Sequence, residues 1–260
     1  MKENYMNEEL KTIAKSVRRR LFDFKTSSGI GHLASSLSIV DILVSLYYDK
    51  KTCFDINKDI LIFSKAHGSP AIYPILVDMG LIDKSELEKY CKPNGILRLH
   101  SDSSIPGCHF VGGSLGNGIG YASGLAFQND KRVFVILGDG ELYEGSVWES
   151  LSFISHHNLN NMKLIVDRNQ LAILGATEEL LKLEPLKSKF EAFRFEVSSI
   201  DGHNFNDLQS VFSRMLSRPE IIIANTIKGK GVSYMEGKWE YHTIIPKDET
   251  LIKIGKEELS

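Results

Sequence analysis

The sequence predicts an α/β fold built on one doubly wound, mostly parallel sheet with helices on both faces. Three observations carry this. Two short apolar runs, Val133-Phe134-Val135-Ile136-Leu137 and Met162-Lys163-Leu164-Ile165-Val166, read as strands buried on both faces. A helix-length segment, 144–157, lies between them, which is the order of a parallel crossover. Strand-like and helix-like segments then go on alternating toward the C-terminus.

The elements follow in order. Leu10, Ile13, Val17 and Leu21 repeat at helical spacing and predict an N-terminal helix. The basic stretch Lys15 to Arg20 reads as its solvated face rather than a binding patch. A second helix follows Ser36, through Ile39-Val40, Ile42-Leu43 and Leu46-Tyr47, and a strand is expected over 59–63. Helical segments are expected near 71–79 and 84–90. From Pro93 to Gly113 the chain is rich in Gly, Pro and Ser; a loop of that length in a compact domain is usually functional or mobile. Residues 114–127 read as a helix despite Gly116, Gly118, Gly120 and Gly124, each of which costs about 1 kcal/mol against Ala in a helix interior. Glycines at that spacing let a helix lie close to a ligand or a neighbour. After the strand–helix–strand unit come a strand at 193–198, a helix at 205–216 and a last strand at 221–224. No repeat, low-complexity tract or linker interrupts the pattern. Residues 1–260 therefore read as one domain, with a short C-terminal extension from about 232.

Composition narrows the function classes. Hydrophobic residues make up 42% and charged residues 25%, as in ordinary globular proteins. A net charge of −2 gives no strong attraction to nucleic acid. No run of about eighteen apolar residues occurs, so no membrane partner is expected. The N-terminus MKENYMNEELK lacks the apolar core of a signal peptide. Cys53, Cys91 and Cys108 are odd in number and lack C-x-x-C spacing. That argues for a reducing cytoplasm and against zinc or a disulfide framework.

The chemistry concentrates at the ends of the two central strands. Gly138-Asp139-Gly140 closes the first, and Asn169 follows Asp139 by thirty residues, just past the second. The crossover places both at one carboxyl edge, with a carboxylate and an amide oxygen facing one crevice. These are hard-cation ligands, and the Leu171 carbonyl is a candidate third. Mg²⁺ takes one or two protein ligands and completes its octahedron with water and substrate phosphates. Gly140 would let a diphosphate lie against the start of the following helix. Taken alone, a Gly-Asp-Gly is equally a common turn.

The surroundings decide between the two. The stretch GDGELYEGSVWESLSFISHHNLNNMKLIVDRNQ resembles the thiamine-diphosphate motif of the transketolase family. Further matches follow the family's order, from about residue 16 to 245. They include Gly31-His32-Leu33-Ala34-Ser35-Ser36, Ser64-Lys65-Ala66-His67-Gly68, Leu99-His100, Gly112-Gly113-Ser114-Leu115-Gly116, and Thr226-Ile227-Lys228-Gly229 with His242 downstream. The resemblance implies the diphosphate-binding domain of the thiamine-diphosphate fold. It implies thiamine diphosphate as cofactor, with Mg²⁺ (or another divalent cation such as Ca²⁺ or Mn²⁺) on Asp139, Asn169 and Leu171. Gly138, Asp139, Gly140 and Lys228 would then lie at the diphosphate, and Gly113, Ser114 and Leu115 at the aminopyrimidine.

A lone His is more often a surface or core residue than a catalytic one. His156 and His157 suit a helix C-terminus, His203 the turn before a helix, and His109 has no assigned part. His32, His67, His100 and His242 fall where the resemblance places active-site imidazoles. His67 and His242 would face the cofactor, and His32 and His100 the sugar. Imidazoles suit proton shuttling near neutral pH.

The resemblance also shows what the chain does not carry. The Glu that activates the aminopyrimidine belongs, in this family, to a second, pyrimidine-binding domain, and no second α/β unit is seen here. Glu144 matches instead the family's interface carboxylate, which relays protons across a dimer. The expectation is the N-terminal subunit of a split transketolase. It would form an α2β2 heterotetramer with a separately encoded partner and move a two-carbon ketol unit between sugars or sugar phosphates. The HLASS sequence after Gly31 is closer to 1-deoxyxylulose-5-phosphate synthase, so a split synthase that decarboxylates a 2-oxo acid is the alternative. A non-catalytic cofactor-binding module is the third reading, weakened by the presence of both Asp139 and Asn169.

Overall fold

Among the described residues, five strands form one sheet: β1 (Ile60–Phe63), β2 (Val133–Gly138), β3 (Met162–Arg168), β4 (Glu196–Asp201) and β5 (Glu220–Asn225). Their order in space is β1-β2-β3-β5-β4, and every neighbouring pair is parallel. The computed structural model describes all residues except Met1 and Cys53, with side chains in the first helix from Met6 onward. The cysteine reading at Cys53 thus falls outside the described residues; Cys91 and Cys108 are free thiols.

The helices are α1 (Lys2–Ser28), α2 (Leu33–Leu37), α3 (Val40–Tyr48), α4 (Tyr73–Asp78), α5 (Ser85–Glu88), α6 (Asn117–Gln128), α7 (Gly145–His156), α8 (Thr177–Leu180), α9 (Leu186–Ala192), α10 (Phe205–Phe212) and α11 (Glu249–Glu258). A 3-10 segment, Ala66–Ile72, links β1 to α4.

The strand pattern builds two cores. β2 and β3 are buried along their whole length, as central strands of a covered parallel sheet must be. Side-chain alternation then divides them. Phe134, Ile136, Ile165 and Ile222 join α1, α3 and α10 in one core. Val133, Val135, Leu164 and Ile221 join α6, α7 and α9 in the other. This is the doubly wound arrangement expected from the sequence. No described helix is long and apolar enough to cross a membrane.

The differences have local reasons. α5 spans only part of 84–90, and Leu87 is its one buried residue, so little apolar face supports more turns. α6 begins at Asn117 because Gly116 is left-handed, with φ 80°. A Cβ there would stand 2.3 Å from Ser146 Oγ. β4 starts three residues later than expected. It is a half-exposed edge strand, Glu-Val-Ser-Ser-Ile-Asp, with no apolar run to mark it. α10 ends at Phe212, short of 216. α8, α9 and α11 carry too few apolar residues to show a period, and none was expected. Gly255 of α11 packs on the Phe22 ring, where a Cβ would stand 2.5 Å away. Val232, Met235, Ile245 and Leu259 join the first core.

Candidate active site

The parallel register sets Gly138 opposite Asp167. Asp139 and Arg168-Asn169 therefore leave the sheet side by side at its carboxyl edge, where open α/β sheets hold ligands. A cavity of about 490 Å³ opens there. Gly138, Asp139, Gly140, Asn169, Leu171 and Lys228 line it, and so do Gly113, Leu115 and the four expected histidines.

Asp139 is 2% exposed. Its Oδ1 accepts from the Gly140 N–H at 2.8 Å and its Oδ2 from the Gln170 N–H at 2.5 Å, with Arg168 Nη1 at 3.4 Å. Burial pushes its carboxyl up and Asp167 adds to this, against the pull of Arg168, the Gln170 N–H and Lys228. Asn169 donates from Nδ2 to Asp167 Oδ2 at 3.0 Å, which orients its amide, and its Oδ1 accepts from the Leu171 N–H at 3.1 Å. The Leu171 carbonyl accepts from Lys228 Nζ at 3.1 Å. One carboxylate, one amide oxygen and one carbonyl are a donor set that could hold a hard cation taking its remaining ligands from a phosphate.

The histidines converge from four distant segments. The His32 ring centre lies 5.5 Å from His67, 6.1 Å from His100 and 5.3 Å from His242, and His67 and His242 are 5.2 Å apart. His32 Nδ1 is buried without a hydrogen-bond partner. Gly113 has φ +142°, and a Cβ there would stand 3.2 Å from His100 Nδ1. A side chain at 113 would thus crowd the ring that faces the cavity. An orphaned polar atom, a cleared wall, and oxygen donors beside a buried cation all fit thiamine diphosphate with a divalent ion.

The cluster is held neutral. Burial first, then Lys25 and His100, lower His32 to about 4. Burial first, then Lys228 and His32, lower His242 to about 3. Burial and Lys65 take His67 well below its ordinary value, and burial with Lys25 lowers His100. Lys228 is lowered to about 8, chiefly by burial and Lys65, so it stays mostly charged at neutral pH. Its Nζ lies 2.9 Å from His242 Nδ1, which leaves the Nε2 proton on that ring. Stability should respond to pH accordingly. Between the ordinary value of 6.5 and the lowered folded values, the unfolded chain binds protons the folded chain does not. Stability should therefore fall as pH drops from 6.5 toward 4. Denaturation midpoints over that range would check this, and a flat profile would contradict it.

A model of the family described as "Transketolase, thiamine diphosphate binding domain" matches residues 10–259. The chain belongs to the transketolase family. It is 36% identical to an apulose-4-phosphate transketolase subunit from Actinobacillus succinogenes, over 98% of both chains. It is also 36% identical to the 6-deoxy-6-sulfo-D-fructose transketolase subunit SqwG of a Clostridium species, over 91% of each. Campylobacter jejuni transketolase superposes with a TM-score of 0.86 at 30% identity, over 96% of this chain and 42% of that one. The chain thus spans somewhat under half of a full-length transketolase and nearly all of the single subunits it resembles.

In this transketolase-family chain two expected residues stand apart from the cavity lining. Ser114 is exposed. Glu144 is exposed at the start of α7, where a Cβ on Gly116 would meet its own at 2.8 Å. The His203 imidazole bonds outside the turn expected of it: Nδ1 lies 2.6 Å from Asp41 Oδ2 on α3, and Nε2 accepts from the Ile227 N–H at 2.8 Å, beside Lys228. His109 lies half-buried outside the lining. Two buried groups were not singled out from sequence. Lys65 lines the cavity and pairs with the fully buried Asp167. Glu141 accepts from Ser64 Oγ at 2.5 Å, the Gly116 N–H at 2.7 Å and the Gly138 N–H at 3.1 Å. It ties the ends of β1 and β2 to the start of α6. Both sit inside stretches that carry the family resemblance, in Ser64-Lys65 and Gly140-Glu141, and that adjacency was the available signal.

Proposed function

We propose that this chain is the cofactor-holding half of a two-component transketolase that moves a two-carbon ketol unit between sugar or sugar-phosphate substrates. The convergence of Asp139, Asn169 and Leu171 with four neutral histidines around one cavity carries this reading. Thiamine diphosphate, when bound, would supply a thiazolium ring able to take up the electron pair released when the substrate bond beside a ketone breaks. Asp139, Asn169 and the Leu171 carbonyl would hold Mg²⁺, or Ca²⁺ or Mn²⁺ in its place. Lys228 would face the diphosphate charge. Gly113 and Leu115 would line the aminopyrimidine, with Ser114 following through its backbone. His67 and His242 would border the reacting carbon. His32 and His100 would accept protons from the sugar's hydroxyl groups and donate hydrogen bonds to its carbonyl, as neutral imidazoles can.

The cavity mouth supports a partner. Ile173, Leu174 and Leu181 border it at 50%, 73% and 65% exposure, an apolar rim suited to burial under a second chain. That chain would bring the pyrimidine domain and its activating Glu. Exposed Glu144 would meet a second copy of this chain, giving α2β2, and the setting would be cytoplasmic. The relatives named as transketolase subunits favour ketol transfer over 2-oxo-acid decarboxylation.

The purified chain should show no ketol transfer by itself and gain it on mixing with its partner, thiamine diphosphate and Mg²⁺. A coupled assay with a ketose phosphate donor reads this. Transfer by the single chain would sink the two-component reading, and CO₂ release from pyruvate would replace ketol transfer with the synthase alternative.

A further inference from the structure

The inner face of α1 carries Leu10, Ala14, Val17 and Leu21, all buried, three or four residues apart. The next position on that stripe is Lys25, and it is fully buried too. An apolar side chain would fill the space without desolvating a charge. Among the described residues no carboxylate pairs with this ammonium. Its neighbours are the Tyr90 hydroxyl at 2.9 Å, the face of the Tyr90 ring at 4.9 Å, and the Gly31 carbonyl.

The peptide carrying that carbonyl leads directly into His32. His32 is left-handed, with φ 66° and ψ 26°, a conformation uncommon for a residue with a side chain. From the other side the Thr243 carbonyl closes on the turn, so that a Cβ on Gly31 would stand 2.9 Å from it. The ring so held is the hub of the histidine cluster, and its Nδ1 is the orphaned atom.

We propose that Lys25 is a positioning residue for His32: it holds the Gly31 carbonyl from behind, fixes the left-handed turn that aims the imidazole into the cavity, and sets a positive charge against the cluster. Its effect on ketol transfer rests on the function proposed above; its effect on His32 does not. The charged and titratable groups around His32 are Lys25 on α1, Lys65 just before the 3-10 segment and His67 on it, His100 in the long loop, and Lys228 and His242 near the C-terminus. Those around Lys25 itself are Tyr90 and Cys91. Burial lowers Lys25 itself to about 7, so it is fully charged only in the acid range where the imidazoles titrate; there, after burial, it is the largest cause of the low His32 value and also lowers His100.

Two variants separate the clamp from the charge. Lys25→Met removes both, and Lys25→Gln keeps an N–H donor for Gly31 without the charge. In isotope-labelled chain, NMR titration should show His32 protonating at higher pH in both variants. The Gly31 and His32 backbone resonances should move strongly only in Lys25→Met. In the assembled complex, Lys25→Met should lower kcat about tenfold or more through misplacement of the ring. Cofactor affinity should be unchanged, and Lys25→Gln should recover part of the loss. A His32 titration identical in wild type and Lys25→Gln would overturn the proposal, as would unchanged Gly31 and His32 resonances in Lys25→Met. Should neither variant fold, the wild type still decides: backbone chemical shifts and couplings that place His32 outside the left-handed region overturn it. The titration needs neither cofactor nor partner, so its failure leaves the ketol-transfer reading standing. Absent ketol transfer with a normal titration would condemn that reading alone.

Discussion

Replacing Asp139 by Asn is expected to weaken cation-dependent binding of thiamine diphosphate to the assembled complex by about 100-fold or more and to abolish turnover. Outer-shell changes at metal sites already cost about 10–100-fold, and Asp139 is the one carboxylate among the proposed ligands. An amide at this position loses the charge and also turns its N–H₂ toward either the Gly140 or the Gln170 N–H, each of which needs an acceptor. The fold should survive. Arg168, which Asp139 faces, keeps Glu178 at 2.9 Å and Glu184 at 3.0 Å. Calorimetric titration of the complex with cofactor, at several Mg²⁺ concentrations, reads the effect. Unchanged, Mg²⁺-dependent affinity would remove Asp139 from the cation site.

Lys65→Met should produce the largest loss of stability, about 3–5 kcal/mol, because it strands a fully buried carboxylate. Asp167 has no exposed surface, and among the described residues Lys65 is its only ion-pair partner. Ser38 Oγ at 2.8 Å, Asn169 Nδ2 at 3.0 Å and Thr226 Oγ1 donate to the same carboxylate. Burial opposes its charge, and Lys65 with these donors more than offsets it, so its carboxyl titrates below the ordinary 3.8. The sign follows from that direction. Stabilisation by Asp167 is present above 3.8 and is lost as pH falls through the lower folded value. The gap between wild type and variant should therefore be full at neutral pH and shrink toward and below 3.8. At about 2–4 °C per kcal/mol for a chain somewhat smaller than this one, calorimetry should record a fall in Tm of roughly 10 °C. The double variant Lys65→Met with Asp167→Leu should recover much of it. A fall within about 1 °C would show that the pair is not a structural anchor.

The legible parts of the fold were those where burial repeats at short range. β2 and β3 announce themselves as apolar runs because both faces of the sheet are covered there. β4 does not, because its edge position leaves alternate residues half-wet and its sequence polar. α11 was invisible for a related reason: its one fully buried residue is a glycine, packed against Phe22, an absence of side chain rather than a buried apolar stripe. The site divides in the same way. Asp139 and Asn169 could be paired from sequence because each sits at the end of a recognisable strand and one crossover joins them. His32, His67, His100 and His242 gave no such local signal and were named only through the family resemblance.

The sequence by itself determined the central strands, the pairing of Asp139 with Asn169 at their carboxyl edge, and the family its motifs resemble. The first two follow from periodicity and from spacing within one strand–helix–strand unit, and the third from motifs that resemble the family's in their order along the chain. Tertiary structure alone decided that four histidines from separate segments share one cavity and are kept neutral there. It also decided that Lys65 and Glu141 anchor the cavity floor, and that a lysine on an apolar helix stripe backs the central imidazole. Such relations depend on distance and dielectric between residues far apart in the chain, and no local pattern of side chains encodes them.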